Sequence, residues 1–204
     1  MKLSKTLSNK SFAIYGLGIT GSSVVKFFKE SKIKNYCIWD DDKKKRKKHD
    51  IKLNIKDFLK FLNNADYIVI SPGIDIEKNK YKKKLLKNKH KFITDLDIFY
   101  MKNIVPESIV VTGTNGKSTT CKLLFHFLKK NKFKCSLGGN IGNPIFNLNK
   151  VNNSFVIIEA SSFQLSHSKF IKPDYAFFLK HRYLIGVLLI VASIYMIYTY
   201  LTFS

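Results

Sequence analysis

Residues 108–119 read SIVVTGTNGKST and carry the clearest fold signal in the chain. Residues 108–111 form a short apolar run typical of a buried strand, and apolar residues recur at helical spacing over residues 119–130. A glycine-rich turn, GTNGKS, joins the two segments. Strand, loop and helix in this order favour a parallel sheet with crossover helices.

This turn has the composition of a phosphate-binding loop, because backbone N–H groups at a glycine-rich turn and a helix N-terminus attract an anion. The Lys117 side chain can reach terminal phosphates, and the Ser118 hydroxyl can ligate Mg²⁺. The longer pattern G-x-x-x-x-G-K-[ST] needs a glycine where Val111 stands, so the match is to the shorter G-x-x-G-K-[ST]. The predicted ATP-binding residues are Gly113, Thr114, Asn115, Gly116, Lys117, Ser118 and Thr119.

A similar layout occurs near the N-terminus. The apolar run at residues 11–15 is followed by GLGITG, which matches G-x-G-x-x-G, and by a helical pattern over residues 22–30. Further strand candidates lie at residues 36–39 and 65–70. Asp40 follows the first of these at the distance where an acid can hold a ribose, so a dinucleotide or another diphosphate is expected here. Glycines that serve only close strand–helix packing are the alternative.

Glu159 ends a second apolar run in the C-terminal half, at residues 155–158. A carboxylate at the end of a buried strand is costly unless it is paired or bound to a metal. In a nucleotide site such a glutamate serves Mg²⁺. A strand-end glutamate that faces water is the alternative.

The charge of the chain constrains its partners. The 204 residues are 45% hydrophobic, enough for a packed core, and carry a formal net charge of +22. Arg46 and Arg182 are the two arginines among 36 basic residues. Nucleic-acid binders favour arginine, so we expect no nucleic-acid partner and interpret the lysine-rich residues 43–48 and 78–91 as solvated surface.

The compartment is predicted from cysteines and from the two ends of the chain. Three scattered cysteines fit a reducing compartment, and the first residues lack the apolar core of a secretory signal, so we expect a cytoplasmic protein. Residues 183–203 contain no charged side chain, and as a helix they would span about 30 Å, the thickness of a bilayer core. We expect either a membrane helix that leaves the rest facing the cytoplasm or a segment read out of frame.

Together the motifs resemble those of the Mur ligases, ATP-dependent amino-acid ligases of peptidoglycan synthesis, and most closely the branch that adds D-glutamate. The resemblance extends over residues 10–179. Its segments, in the order that the family has them, are residues 16–22, 71–74, 112–119, 138–142 and 159–165.

The fold class implied is α/β. A Rossmann-like domain at residues 1–103 would bind the UDP end of the substrate. An incomplete P-loop-type central domain at residues 104–179 would bind ATP, and residues 180–204 form the apolar tail, predicted as a C-terminal helix.

The resemblance implies that Lys117 and Glu159 act in catalysis and that Ser118 and Glu159 hold Mg²⁺. The family phosphorylates the substrate carboxylate with ATP, and the amino group of D-glutamate then attacks the acyl phosphate. The residues expected to contact UDP-N-acetylmuramoyl-L-alanine are Gly18, Ile19, Thr20, Asp40, Asp41, Ser71, Gly73, Asn140, Ser161 and Gln164.

The sequence departs from the family after Leu179, where an asparagine, an Asp-His pair and a carbamylated lysine are expected. We therefore expect that this chain alone does not complete the ligation, and a separate chain is one source of the missing domains. One alternative is a membrane-tethered nucleotide-binding module without ligase activity. Another is an NAD-dependent oxidoreductase built on residues 16–21, although such an enzyme has no need of the loop that contains Lys117.

Overall fold

The computed structural model describes residues 5–102, 106–140, 142–148 and 155–180, together with Ile194 and Ile197. The chain divides into two compact units. The N-terminal unit comprises Met1–Val105, Pro144–Asn147 and Phe163–Lys172, and the C-terminal unit comprises Pro106–Asn143, Leu148–Ser162 and Pro173–Ser204. Each unit contains a parallel sheet with helices, which confirms the predicted α/β class.

The N-terminal unit contains a four-stranded parallel sheet of order β2-β1-β3-β4. Tyr15, at the end of β1, is in register with Trp39 of β2 and Ile70 of β3, so the strands end at one edge. The elements are α1 (Lys5–Asn9), β1 (Phe12–Tyr15), α2 (Ile19–Glu30), β2 (Tyr36–Trp39), α3 (Lys43–Lys48), α4 (Ile55–Asn64), β3 (Tyr67–Ile70), α5 (Lys82–Lys87), β4 (Phe92–Ile93) and α6 (Asp95–Tyr100).

Apolar helix faces cover this sheet. Val24 and Phe28 of α2 belong to the same buried cluster as Phe12 and Ile14 of β1. Phe58 of α4 is fully buried in a second cluster that includes other residues of β1 and β2. Parallel strands that are covered on both faces have nearly continuous apolar sequences, which explains the apolar character of residues 12–15 and 67–70.

The C-terminal unit has a second parallel sheet, of order β6-β7-β5-β8. Apolar residues of α7, among them Cys121, Leu124 and Leu128, pack with Ile109 and Val111 of the sheet. The elements are β5 (Glu107–Gly113), α7 (Lys117–Lys130), β6 (Cys135–Gly139), β7 (Phe155–Glu159) and β8 (Tyr175–Leu179), while α8 (Ser162–His167), between β7 and β8 in the chain, belongs to the N-terminal unit from Phe163 onward.

Two helices begin earlier than their apolar patterns indicate. Helix α2 starts at Ile19 rather than residue 22, and α7 starts at Lys117 rather than residue 119. In both cases a glycine occupies the N-cap, so the first helical turn contains residues of the loop motif itself. The consequence is that each glycine motif lies directly at a helix N-terminus.

The predicted apolar helix over residues 183–203 lies outside the described residues, apart from Ile194 and Ile197. Among the helices that the structure describes, none combines the length and the apolar character that a bilayer crossing requires.

Candidate functional site

The glycine loop of the C-terminal unit follows β5, the strand that pairs with both β7 and β8. Gly113 has φ +135°, and a Cβ there would lie 2.2 Å from the carbonyl oxygen of Leu179. Gly116 has φ +80° and is the N-cap of α7. Both conformations favour glycine, so the backbone of the turn explains why glycine stands at these two positions. Ligands of open α/β sheets bind in the crevice outside the carboxyl ends of the parallel strands, which is where this loop lies.

The Lys117 ammonium bends back over this loop. Its Nζ donates hydrogen bonds to the carbonyl oxygens of Gly113, at 2.7 Å, and of Thr114, at 3.0 Å. Thr114 to Gly116 are exposed, as are Ser118 and Thr119 in the first turn of the helix. The predicted ATP-binding residues therefore form one open surface with a cation and a helix N-terminus, the arrangement that attracts a phosphate.

Glu159 lies beside this surface at the end of β7. Its side chain is buried, and Oε2 accepts a 2.7 Å hydrogen bond from the Ser118 hydroxyl. Oε1 accepts a 3.2 Å hydrogen bond from the Asn140 side-chain amide. The backbone holds the same cluster, because the Asn140 N–H donates to the Glu159 carbonyl and the Ala160 N–H donates to that of Val111.

The donor set around Glu159 fits Mg²⁺. Among the described residues, no lysine or arginine lies within ion-pair distance of this buried carboxylate. A buried charge without a counter-ion favours a cation, and Mg²⁺ prefers oxygen ligands such as this carboxylate and the Ser118 hydroxyl, completed by phosphate and water. The described residues contain no cluster of three His, Cys, Asp or Glu side chains, so the protein would supply only part of the coordination shell.

The first glycine loop, in the N-terminal unit, is closed by contacts between main chain and Ser71. The Ser71 hydroxyl donates a 2.7 Å hydrogen bond to the Gly16 carbonyl, and the Ser71 N–H donates to the Tyr15 carbonyl. Gly16 has φ +99°, and a Cβ on Gly21 would lie 1.8 Å from the Gly16 oxygen. Gly18 caps α2 with open space around it. The loop thus places Gly18, Ile19 and Thr20, which are predicted to contact the substrate, at the start of a 12-residue helix.

Asp40 is buried beneath this loop. Its Oδ2 accepts a 2.7 Å hydrogen bond from the Leu17 N–H, and its Oδ1 accepts one of 2.8 Å from the Asp42 N–H. Lys45 lies 3.5 Å from the same carboxylate. Through these hydrogen bonds, Asp40 fixes the glycine loop against the end of β2.

Asp41 is held by aromatic residues at the same strand ends. Its Oδ2 accepts a 2.6 Å hydrogen bond from the Tyr15 hydroxyl, and its Oδ1 accepts one of 3.2 Å from Trp39 Nε1. The Asn79 amide contacts both Tyr15 and Asp41. Burial, together with the Asp41 carboxylate, raises the pKa of Tyr15, so this phenol keeps its proton and remains a donor.

The remaining predicted substrate residues are spread over both units. Gly73 follows Ser71 in a turn that is closed by the Ile74 N–H and the Ser71 carbonyl. Asn140 lies in the C-terminal unit, where its side chain contacts Glu159. Ser161 is half-buried and lies in the same unit, two residues after Glu159 in the sequence. Gln164 lies in the N-terminal unit, where its buried amide donates a 3.0 Å hydrogen bond to Asp95 Oδ1.

The contacts that hold the segment around Gln164, residues 163–172, were not predicted. Asp97 is fully buried and accepts backbone hydrogen bonds from Thr94, Lys169 and Phe170, so the start of α6 holds residues 163–172. The signal available in the sequence was the Thr94-x-x-Asp97 spacing, which is typical of a capping box. That pattern indicates a helix start and carries no information about a distant segment.

Asp95 makes the stability of the N-terminal unit pH-dependent. Burial raises its pKa from 3.8 to about 6, and the Asp97 carboxylate adds to the rise, although the Gln164 hydrogen bond opposes it. The folded state therefore binds this proton more tightly than the unfolded state, and stability falls as pH rises from about 4 to about 6. The expected loss is on the order of 2–3 kcal/mol. Asp95→Asn should abolish this loss when urea unfolding is followed by the fluorescence of Trp39, the one tryptophan of the chain.

Asp66 supplies the control for this experiment. The hydrogen bond from Lys10 lowers the pKa of Asp66 to about 2, so its contribution is present above pH 4 and is lost as pH falls towards 2. Asp66→Asn should change that lower window and leave the loss between pH 4 and 6 in place. A wild-type unit whose stability rises steadily from pH 4 to 7 would contradict the assignment to Asp95.

Two glycine loops, each between a parallel strand and a helix, and a buried carboxylate beside one of them form an arrangement typical of α/β proteins that bind nucleotides. The family profile of the Mur ligase MurD-like N-terminal domain matches residues 10–91, and that of the Mur ligase middle domain matches residues 111–181. The chain belongs to the Mur ligase family.

Two similar curated proteins, from different organisms, have the same name. The chain is 38% identical over 179 residues to the UDP-N-acetylmuramoylalanine--D-glutamate ligase of Wolbachia sp. subsp. Brugia malayi (strain TRS), an alignment that covers 81% of this chain and 34% of that protein. It is 42% identical over 122 residues to the enzyme of that name from Francisella tularensis subsp. tularensis (strain WY96-3418), covering 57% and 29%. The chain thus spans about a third of the length of the curated relatives it matches.

A solved structure is also similar. The UDP-N-acetylmuramate:L-alanyl-gamma-D-glutamyl-meso-diaminopimelate ligase of Neisseria meningitides is 18% identical, with a TM-score of 0.47, over 86% of this chain and 61% of that one.

Proposed function

We propose that this chain carries the UDP-substrate-binding and ATP-binding parts of a ligase that adds D-glutamate to UDP-N-acetylmuramoyl-L-alanine. The names of its relatives and the order of its five motif segments support this assignment. In this proposal, residues 1–103 form the UDP-substrate domain and residues 104–179 belong to the ATP-binding domain, both acting in the cytoplasm.

The observation that carries the proposal is the contact of Glu159 with Ser118 and Asn140 beside the glycine loop. A phosphate-binding loop alone suits many nucleotide-binding proteins. A buried carboxylate that already holds the loop hydroxyl adds the oxygen ligands for Mg²⁺, which ATP-dependent phosphoryl transfer requires. Asn140 belongs to the motif segment at residues 138–142 and contacts the same carboxylate, so three of the motif segments meet there.

The chemistry proposed for the ATP end follows from charge. A substrate carboxylate oxygen attacks the terminal phosphorus of ATP, ADP leaves, and the amino group of D-glutamate then displaces phosphate from the acyl carbon. Negative charge on the transferred phosphoryl group has to be neutralised, and Lys117 and the N-terminus of α7 lie where they can do so. When bound, Mg²⁺ would be held by Ser118 and Glu159 and would supply further positive charge.

The UDP end of the substrate would bind to the N-terminal unit. We place its diphosphate at the start of α2, near Gly18, Ile19 and Thr20, and its uridine near Asp40 and Asp41. Ser71 and Gly73 would line the same cleft. The muramoyl part would lie near Asn140, Ser161 and Gln164.

Calorimetric titration of the purified chain tests both ends separately. We expect binding of UDP-N-acetylmuramoyl-L-alanine without any metal, binding of ATP that strengthens when Mg²⁺ is added, and no binding of NAD. A chain that binds NAD but neither of the other two ligands would refute the proposal.

A further inference from the structure

The short helix α3 consists of six consecutive basic residues, KKKRKK, and buries none of them. Like charges one turn apart repel, and a helix of this length is marginal without tertiary contacts. Its first turn is capped by the Asp42 carboxylate, which accepts from the Lys44 N–H. Specific polar contacts, rather than an apolar face, must therefore hold α3 against the unit.

Arg46 makes the most extensive of these contacts. Its Nη1 donates hydrogen bonds to the carbonyl oxygens of Asp40, at 2.7 Å, and of Asp41, at 2.9 Å. Its guanidinium carbon lies 4.5 Å from the centre of the Trp39 ring. One side chain thus contacts three consecutive residues at the end of β2.

These contacts use properties that lysine lacks. A guanidinium is planar, so it stacks on an aromatic ring while its N–H groups donate in fixed directions, whereas an ammonium is a compact and strongly hydrated charge. Arg46 is one of two arginines among 36 basic residues, and its neighbours on α3 are all lysine. The arginine stands at the one position of α3 where stacking and paired donation are both used.

Trp39 connects the Arg46 guanidinium to the Asp41 side chain. The indole Nε1 donates to the Asp41 carboxylate, and the ring also stacks with Phe58 of the core at 6.0 Å between centres. Arg46 therefore fixes Asp41 in two ways, through its main-chain carbonyl and through the ring that holds its side chain.

We propose that Arg46 is a positioning residue for nucleotide recognition, which fixes the Trp39-Asp40-Asp41 turn for the uridine end of a nucleoside diphosphate. This inference rests on the proposed function of the N-terminal unit. Arg46 acts through the turn and does not itself neutralise the diphosphate. Replacement by another cation should therefore not preserve binding.

Two substitutions on α3, with UDP as the probe, separate positioning from general attraction. Arg46→Lys keeps the charge and loses the stacked, paired geometry, and we expect UDP to bind about 10-fold more weakly in calorimetry, the scale of losing roughly one charge-assisted hydrogen bond. Lys47→Ala removes one charge from an exposed position of the same helix, and we expect a change of less than about 2-fold at physiological salt, where exposed charges are screened. ATP affinity, a property of the C-terminal unit, should remain unchanged in both variants.

The outcomes distinguish this inference from the proposed function. Normal UDP binding by Arg46→Lys, or an equal loss in Lys47→Ala, would overturn the positioning role while leaving the function of the unit intact. If the wild-type chain binds no UDP, the proposed function of the unit fails, and the inference fails with it. A variant that is partly unfolded would be recognised by Trp39 unfolding in urea, and its affinity is then corrected for the folded fraction.

Discussion

Replacing Gly21 with alanine is expected to unfold the N-terminal unit at far lower urea concentration than wild type. The new Cβ would lie 1.8 Å from the Gly16 carbonyl oxygen and 2.8 Å from the Ser71 hydroxyl. That oxygen is main chain, so relief requires α2 to move away from the end of β1. Overpacking in a well-packed core costs about 1–3 kcal/mol, and a main-chain clash belongs at or above the upper limit. The Trp39 unfolding midpoint should fall accordingly, equivalent to a loss of about 10–20 °C in Tm.

Gly18→Ala is the matched control, three residues earlier in the same loop. No atom lies within 4 Å of a Cβ there, and φ is −67°, which any residue adopts. The expected cost is below about 1 kcal/mol, since alanine is a poorer N-cap than glycine. Equal midpoints for the two variants would show that helix and strand do not approach as closely as described. In a helix interior alanine is otherwise about 1 kcal/mol more favourable than glycine. A Gly21→Ala protein that is more stable than wild type would therefore also contradict the predicted clash.

The parts of the fold that follow from local sequence were predictable. The apolar runs before residues 16 and 113 and the glycines after them indicate strand, turn and helix within about 20 residues, so both loops were located. The terminal position of Glu159 on an apolar run left two alternatives, a paired or metal-bound carboxylate and one that faces water. The structure shows the side chain buried, and the register that pairs Val111 with Glu159 explains why it lies beside the loop. Such features need no information about distant segments.

The parts that depend on distant contacts were not predictable. Asp40 has the spacing of a ribose-binding acid, yet its position beneath the Leu17 N–H depends on how β1 and β2 pair. Arg46 is hidden in a run of lysines whose charge indicates only solvent exposure. The contact of Gln164 with Asp95 joins residues 69 positions apart. Pattern and propensity describe neighbours along the chain, whereas these roles arise from tertiary packing.

The second large effect is expected from Glu159→Gln in the C-terminal unit. The substitution preserves shape but removes the charge that makes the site attractive to Mg²⁺. We expect MgATP to bind about 10–100-fold more weakly, the range observed when groups that organise a metal site are altered. Binding of ATP without Mg²⁺ should change little, because Lys117 and the N-terminus of α7 remain. Calorimetric titration with and without Mg²⁺ measures both quantities on one sample.

The stability of the ligand-free protein provides the internal check on this variant. Glutamine weakens the hydrogen bonds from Ser118 and Asn140, but it also removes a buried charge that no cation of the described residues pairs. These effects oppose each other, so the free energy of unfolding should change by no more than about 1 kcal/mol. Glu107→Gln, at the exposed start of β5, removes the same charge from the same sheet and should leave MgATP binding intact. If Glu159→Gln retains the full Mg²⁺ dependence of ATP binding, the carboxylate only holds the loop together, and the metal must be bound by other residues.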